Sequence, residues 1–161
     1  VRQCQLAVEQ INAVRPIQYL AELSQVDFDQ VEHAITDEVA HRRARHVVGE
    51  VQRTKDAVEA LKNGDIVKFG QLMNQSHVSL RDDYEVTGPQ LDALAEAAWN
   101  IDGVLGSRMT GGGFGGCTVS LVREEAIPAF IEKVGAEYTE KTGLTADFYI
   151  AEIGDGAHRI S

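Results

Sequence analysis

Five of the six consecutive residues from Gly111 to Gly116 are glycines, and the sixth is Phe114. Glycine adopts positive φ angles without steric cost, but it loses more conformational entropy on folding than any other residue. A hairpin turn needs only one or two glycines. So dense a cluster predicts a loop that is either a wide turn or a bare backbone lying close to a ligand.

The residues on either side of this glycine loop have the pattern of β-strands. Val104 to Met109 precede the loop and Cys117 to Val122 follow it, which predicts a unit of strand, loop and strand. Gly111, Gly113 and Gly116 fit the dinucleotide pattern G-x-G-x-x-G, but that pattern requires a helix to begin at the loop. No Gly-Lys-Ser/Thr of a P-loop follows either. The remaining interpretation is a concave backbone whose N–H groups bind anionic oxygens.

Three side chains beside the loop could add polar contacts to a ligand. Ser107 and Thr110 carry hydroxyl groups, and Arg108 carries a positive charge. Neighbouring residues of a strand point to opposite faces, so Ser107 and Arg108 face away from each other. Arg108 is then either a phosphate ligand or a solvated or ion-paired arginine. The residues expected near a bound nucleotide or phosphate are Ser107, Arg108, Thr110, Gly111, Gly112, Gly113, Phe114, Gly115 and Gly116.

Helical spacing of apolar residues dominates the first hundred residues. The predicted helices are short helices within residues 1–34 interrupted at Arg15-Pro16, a long helix from the N-cap Thr36 to Asn63-Gly64 with Val58 and Leu61 among its apolar positions, a second from the N-cap Asp65 to about Leu80, and a third from a capping box at Thr87 to about Trp99. The short connection between the long helix and the second predicts an antiparallel pair.

Extended and mixed patterns follow in the last third of the chain. Glu125 to Tyr138 predict a helix, Ala146 to Ile153 predict a strand, and the glycines after it predict a turn into a last short strand that ends near Ile160. Helices that precede a mixed region of helix and strand indicate an α+β protein. The sequence shows no internal repeat or linker, so residues 1–161 are predicted to form one domain.

Charge and residue spacing exclude several classes of partner. The chain has 15 basic and 25 acidic residues and a formal net charge of -10, which argues against nucleic acid or an anionic membrane as partner. Without a membrane span or the apolar core of a signal peptide, a cytoplasmic location is expected. The histidines lack metal-ligand spacing, so we expect no metal site and histidines that are solvated or cap helices. Cys4 and Cys117 are expected to be reduced thiols, with Cys117 buried in its strand.

The stretch from Gly106 to Cys117 resembles the third conserved motif of the GHMP small-molecule kinases, in the form found in galactokinases. Two upstream stretches, Arg42 to Glu50 and Ser76 to Thr87, are also similar to galactokinases, and the resemblance covers essentially the whole chain. Mevalonate and homoserine kinases share the loop type but lack the segment Arg81-Asp82-Asp83-Tyr84. The three stretches in this order are therefore far more specific than a glycine loop alone.

The resemblance implies a C-terminal GHMP kinase domain, with helices packed on a small antiparallel, ferredoxin-like sheet. It also implies phosphorylation of the anomeric hydroxyl of galactose by ATP with Mg²⁺, in a site between two domains. The phosphate-binding motif, the sugar-binding cluster and the catalytic base of the family lie upstream, so no catalytic residue is expected here. The glycine loop would contact the nucleotide phosphates or brace the phosphate loop of the missing N-terminal domain. The surface that this domain would cover could also form a homodimer.

Three alternatives stay open: a galactokinase-like regulator that binds sugar and ATP without turnover, an N-acetylgalactosamine kinase, and a free-standing ferredoxin-like interaction domain. If the loop takes part in phosphoryl transfer, valine at Gly112 or Gly113 is expected to stop turnover while folding survives. The segment Arg81-Asp82-Asp83-Tyr84 could bind Mg²⁺ or supply a base, but adjacent helical residues diverge by about 100°, which favours structural contacts. The arginines of the long helix, which are Arg42, Arg43, Arg45 and Arg53, are expected to form a solvated, ion-paired surface.

Overall fold

Six α-helices and one two-stranded sheet form the part of the chain that the computed structural model describes, residues 1–152 and 154. The elements are α1 (Arg2–Ile11), α2 (Gln25–Val31), α3 (Glu38–Lys62), α4 (Ile66–Ser79), α5 (Pro89–Trp99), β1 (Val104–Thr110), β2 (Cys117–Val122) and α6 (Ile127–Thr142), with a π-helical turn at Leu80–Tyr84. Helices on a small antiparallel sheet confirm the predicted α+β class. Among the described residues, no helix combines the length and the apolar character needed to cross a bilayer.

Among the described residues, the amino-terminal helices enclose the largest apolar core. The predicted break at Arg15-Pro16 is confirmed, because α1 ends at Ile11 and the chain then turns, with the Ile17 N–H donating to Asn12 Oδ1 over 2.7 Å. The buried residues of this core are Ala7, Ile11, Ile17, Leu20, Leu23, Phe28, Val31, Ile35, Ala40, Ala44 and Val48. This core fixes the first half of α3, and the helix also packs on α4.

The long helix α3 begins one residue later than the sequence suggested. The predicted N-cap Thr36 is wrong, because its hydroxyl accepts a hydrogen bond from Gln10 on α1, over 2.9 Å. The Asp37 carboxylate caps the helix instead by accepting the Ala40 N–H over 2.7 Å. The predicted N-cap of α4, Asp65, is confirmed.

Apolar residues at the turn between α3 and α4 are more exposed than their helical spacing suggests. Val58 and Leu61 are 46% and 48% exposed, and Val67 in the first turn of α4 is 50% exposed. Helical spacing shows which residues share a face but not where the neighbouring protein ends. Apart from Ala60, the buried residues of this helix pair lie further from the turn, and α4 packs on β1 there.

Helix α5 ends at Trp99 as predicted, but its predicted capping box at Thr87 is wrong. The N-cap is Gly88, with φ +81°, and no side chain caps the first turn. Pro89 occupies the first helical position, where its missing N–H costs no hydrogen bond and its fixed φ suits a helix. Thr87 is buried instead.

The sheet consists of β1 and β2, paired antiparallel around the glycine loop. Thr110 pairs with Cys117 at the loop end and Val104 with Val122 at the other, with a register shift between Val104 and Gly106. The predicted strand positions are therefore confirmed. Helices α4 and α5 both pack on β1, and α6 packs on α5.

The carboxyl-terminal predictions are only partly met. The helix predicted from Glu125 begins at Ile127, after a 3₁₀ turn, and runs to Thr142. The predicted strand at Ala146 is wrong over residues 146–152, because the segment pairs with no strand in the described part of the chain. Phe148 instead packs edge-on against Phe130 of α6, with ring centroids 6.0 Å apart. The end of that strand at Ile153, the turn after it and the last strand near Ile160 lie outside the described residues.

Candidate functional site

The glycine loop has the backbone geometry that its composition predicts. The residues with positive φ are Gly111 (+75°), Gly113 (+82°), Phe114 (+57°) and Gly115 (+93°). Only glycine adopts such angles freely, and a phenylalanine there is uncommon. Positive φ at Gly111, Gly113 and Gly115 shows that the backbone conformation of the loop itself favours glycine at these three positions.

One side of the loop is fixed to the rest of the protein through Val86. The Phe114 N–H donates to the Val86 carbonyl over 2.9 Å. A Cβ atom at Gly113 would lie 2.0 Å from the same carbonyl oxygen. Gly113 is therefore needed for close approach to the protein's own backbone.

The other side of the loop is open. A Cβ atom at Gly111, Gly112 or Gly115 would meet nothing within 4 Å. Within the described residues, the N–H groups of these three glycines and of Gly116 donate to no protein acceptor. Phe114 is 80% exposed beside them. Backbone N–H groups without a protein acceptor, on a chain that alternates between positive and ordinary φ angles, form a surface that suits anionic oxygens.

The three polar residues beside the loop are placed differently from one another. Thr110 is exposed at the loop entrance. Ser107 is fully buried, and its hydroxyl hydrogen-bonds with that of Ser120 over 2.8 Å. Arg108 points to the opposite face, as predicted, where its Nη1 lies 3.3 Å from the Glu50 carboxylate. The structure therefore brings Thr110 together with the glycines, while Ser107 faces the interior and Arg108 forms an ion pair.

A cleft of about 550 Å³ lies between α3, α4 and the sheet, and Glu50 and Arg108 line it together with Thr110. Glu50 accepts hydrogen bonds from Ser76 over 2.5 Å and from Arg53 over 2.8 Å. Burial raises the pKa of Glu50, but these hydrogen bonds and the charges of Arg53 and Arg108 outweigh it and hold the pKa below its usual value. The carboxylate therefore stays ionised and keeps Arg108 turned into the cleft.

The outer edge of β1, on the side away from β2, is held by three side chains of α4 and α5. Asn74 Oδ1 accepts the Ser107 N–H over 2.8 Å, and His77 Nδ1 accepts the Met109 N–H over 2.9 Å. The Trp99 indole N–H donates to the Ser107 carbonyl over 3.0 Å. The strand that carries the loop is thus bound to the helices through its backbone, in a way that its sequence does not reveal.

Comparison with known proteins identifies the family that has this architecture. The family described as "GHMP kinases C terminal" matches residues 57–140, which include α4, α5, both strands, the glycine loop and most of α6. The chain belongs to the GHMP kinases. Its match to this family covers the C-terminal domain, which agrees with the resemblance seen in the glycine loop.

Relatives of this GHMP kinase domain extend the match to nearly the whole chain. A galactokinase of Fusobacterium nucleatum is 57% identical over 158 residues, 98% of this chain and 41% of that protein. A galactokinase of Bacillus subtilis is 48% identical over 159 residues. The crystal structure of Lactococcus lactis galactokinase complexed with galactose matches with a TM-score of 0.92 and 48% identity over 96% of this chain and 40% of that one. The chain thus spans about two fifths of the length of these relatives.

The acidic segment after α4 makes contacts within the GHMP kinase domain. Arg81 pairs with Asp82 over 2.8 Å and with Glu96 over 2.8 Å, and Asp83 pairs with Arg45 over 2.5 Å. Within the described residues, no group of histidine, cysteine and carboxylate side chains is arranged to hold a metal ion. These contacts are structural ones, as the helical geometry of the segment favoured.

The arginines of α3 are ion-paired, as predicted, but they are less solvated than predicted, since the side chains of Arg43 and Arg53 are only 15% and 19% exposed. Arg42 and Arg43 both reach the Glu85 carboxylate, over 3.1 Å and 2.6 Å. Glu85 itself adopts the left-handed conformation, with φ +56°, at the end of the π-helical turn. This pairing joins α3 to the segment that continues to Val86, and so to the loop.

Two histidines of this GHMP kinase domain are buried, which contradicts the expectation of solvated or capping histidines. His77 is fully buried, and its Nε2 lies 3.1 Å from Asp92 Oδ1. His46 is 6% exposed, and its Nδ1 lies 3.0 Å from the Ser79 hydroxyl. The partners of both histidines are distant in sequence, so residue spacing alone could not predict that the two side chains are buried. Cys117 also departs from its prediction, because it is exposed at the loop end of β2.

Buried histidines make the stability of the domain depend on pH. Burial is the largest cause that lowers the pKa of both His46 and His77 below 6.5. Below pH 6.5 the unfolded chain then binds more protons than the folded one. The two neutral histidines therefore contribute fully to the free energy of unfolding above that pH, and this contribution is lost as the pH falls. We expect a lower free energy of unfolding, from urea titrations, at about pH 5.5 than at about pH 7.5. A His77→Asn variant should show a smaller change with pH, and an unchanged slope would contradict the assignment.

Proposed function

We propose that this chain is the C-terminal part of a galactokinase, which transfers the terminal phosphoryl group of ATP to the anomeric hydroxyl of D-galactose. The observation that carries the proposal is the open glycine loop, in which a Cβ at Gly111, Gly112 or Gly115 would meet nothing and whose N–H groups at these positions donate to no acceptor among the described residues. Relatives that are curated as galactokinases, at 47–57% identity, support it. The proposal includes a cytoplasmic location and one domain over residues 1–161.

The chain's part in this reaction would be to position and to neutralise charge. Phosphoryl transfer depends on aligned groups and on donors for the charged phosphoryl oxygens. The N–H groups of Gly111 and Gly112 and the Thr110 hydroxyl would supply such donors, either to the phosphates of ATP or to the phosphate loop upstream. The exposed Phe114 would pack against the upstream domain, or against a second copy when that domain is absent.

The carboxylate that lines the cleft beside the loop does not suit Mg²⁺. Glu50, which lies in the neighbouring cleft, is already engaged by Ser76, Arg53 and Arg108. Magnesium prefers carboxylate oxygens and water together with substrate phosphates. Contacts to the Mg²⁺ of Mg-ATP are therefore assigned to the upstream part of the protein, as is the catalytic base.

The proposal is tested by galactose-dependent release of ADP from Mg-ATP. We would measure this chain alone and a chimaera that adds the upstream residues of the Fusobacterium nucleatum relative. Turnover by the chimaera and none by the chain is the expected result. Turnover by the chain alone would contradict the assignment of base and sugar contacts to the upstream part.

Two controls identify the alternatives. Replacing galactose by N-acetylgalactosamine in the same assay tests the related kinase specificity. If neither protein releases ADP, although the chimaera binds galactose and ATP in calorimetry, the galactokinase proposal fails and a regulator without turnover takes its place.

A further inference from the structure

The glycine loop is carried by the paired strands β1 and β2, and its first glycines follow directly on β1. Within the described residues, the loop has one backbone hydrogen bond to the rest of the protein, from Phe114 to Val86. Its first glycine follows directly on Thr110, the last residue of β1. Any shift of the end of β1 is therefore passed to the N–H groups of Gly111 and Gly112.

The anchor of β1 nearest to the loop is the imidazole of His77. Its Nδ1 accepts the N–H of Met109, two residues before Gly111. The other two anchors, Asn74 and Trp99, both bind Ser107, two residues further back. Loss of the His77 contact should thus release the loop end of the strand, while loss of a Ser107 contact should not.

We propose that His77 is a positioning residue for the glycine loop, acting through the Met109 N–H. Within the described residues its ring nitrogens bond to Met109 and Asp92 and not to the open side of the loop, so its effect on a ligand is indirect. Its effect on activity rests on the proposed function, whereas its effect on the Met109 amide does not.

Histidine suits this position because both ring nitrogens are used. Nδ1 must accept from Met109, and Nε2 lies 3.1 Å from a carboxylate oxygen of Asp92, so the neutral tautomer with a proton on Nε2 satisfies both. The ring is fully buried and meets the edge of Trp99 at 5.6 Å between centroids. Asp92 on α5 therefore holds the tautomer that leaves Nδ1 free to accept.

Two variants separate the two halves of the imidazole. In His77→Asn the amide oxygen takes a place close to that of Nδ1 and can still accept from Met109, while the contact to Asp92 is lost. In His77→Gln the longer amide reaches toward Asp92, and the Met109 N–H loses its acceptor. Both variants replace a buried ring by a smaller amide, so they share the general loss of packing. Trp99→Phe is the matched control, because it removes one hydrogen bond from the same edge at Ser107.

The first measurement is amide hydrogen exchange in this chain. Relative to the average of β1, we expect the Met109 amide to exchange at least about 10-fold faster in His77→Gln than in His77→Asn or Trp99→Phe. Equal exchange in the two His77 variants would overturn the proposal. If neither variant folds, the test uses the unmodified chain. We then expect a ¹⁵N–¹⁵N coupling across the hydrogen bond from Met109 to His77, and its absence would overturn the proposal.

The second measurement is kinetic, in the chimaera. We expect His77→Gln to raise the KM for ATP about 10-fold, and His77→Asn and Trp99→Phe to stay within about 3-fold of the parent. Equal KM values for the two His77 variants would contradict a positioning role. A chimaera without any turnover, together with the expected amide exchange, would refute the proposed function and leave the role of His77 in holding the loop intact.

Discussion

A single methyl group at Gly70 is expected to destabilise the protein by about 3 kcal/mol or more, at the upper end of overpacking effects. Gly70 lies in the middle of α4, and a Cβ atom there would be 2.1 Å from the Leu105 carbonyl oxygen of β1. From the strand side, a Cβ at Gly106 would lie 2.3 Å from the Gly70 carbonyl oxygen. Helix and strand thus meet backbone to backbone, and neither can move away without breaking the contacts of the other.

Gly49 is the matched control for Gly70, because it is also a glycine in the middle of a helix. Alanine in place of glycine ordinarily stabilises a helix by about 0.5–1 kcal/mol. A Cβ at Gly49 would meet the guanidinium group of Arg53 at 3.2 Å, a contact with the end of a long side chain that a shift of a few tenths of an ångström relieves. We expect Gly49→Ala to be neutral or stabilising and Gly70→Ala to be strongly destabilising in urea unfolding. Equal effects of the two substitutions would show that the close approach is not required.

Valine at Gly112 is expected to abolish turnover in the chimaera and to change the free energy of unfolding by less than about 0.5 kcal/mol, as for other exposed positions. Gly112 has no positive φ, and a Cβ there meets nothing within 4 Å. Its substitution therefore affects only what approaches the loop from outside. ADP release and urea unfolding of the same variant measure the two effects separately, and undiminished turnover would remove the loop from the mechanism.

Valine at Gly113 should behave differently, because it combines both losses. A Cβ there would lie 2.0 Å from the Val86 carbonyl oxygen, and the φ of +82° adds about 1–2 kcal/mol of strain for a side-chain residue. We expect Gly113→Val to lose stability as well as turnover, which revises the expectation that folding survives in both variants. A Gly113→Val protein as stable as the parent would show that the loop can leave Val86 freely.

Local signals in the sequence predicted most of the elements. Asp65 caps its helix, Trp99 ends α5 and the strands flank the loop as their residue types and spacing require. Each of these features depends on residues within a few positions of one another. Arg108 and Ser107 are neighbours on a strand, so the opposite directions of their side chains could be predicted for the same reason.

Contacts between distant residues could not be predicted in this way. His77 of α4 contacts Met109 of β1, which is 32 positions away, and Gly70 contacts Gly106 between the same helix and strand. The alternating pattern at Ala146 indicates an extended segment, but a strand also needs a neighbour, which composition cannot supply. Thr36 has the right residue type for a cap, yet its hydroxyl is engaged by Gln10.

The side chains that hold the outer edge of β1 also decide in which direction the sheet can grow. An exposed strand edge is a template for another strand, because its N–H and C=O groups lack partners. Asn74, His77 and Trp99 occupy the N–H and C=O of Ser107 and the N–H of Met109, so these groups are not available to another strand. In the part of the chain that the structure describes, the other edge of Cys117–Val122 pairs with no further strand, so we expect any added strand to join there. The fold is therefore protected against edge-to-edge association on one side and extensible on the other.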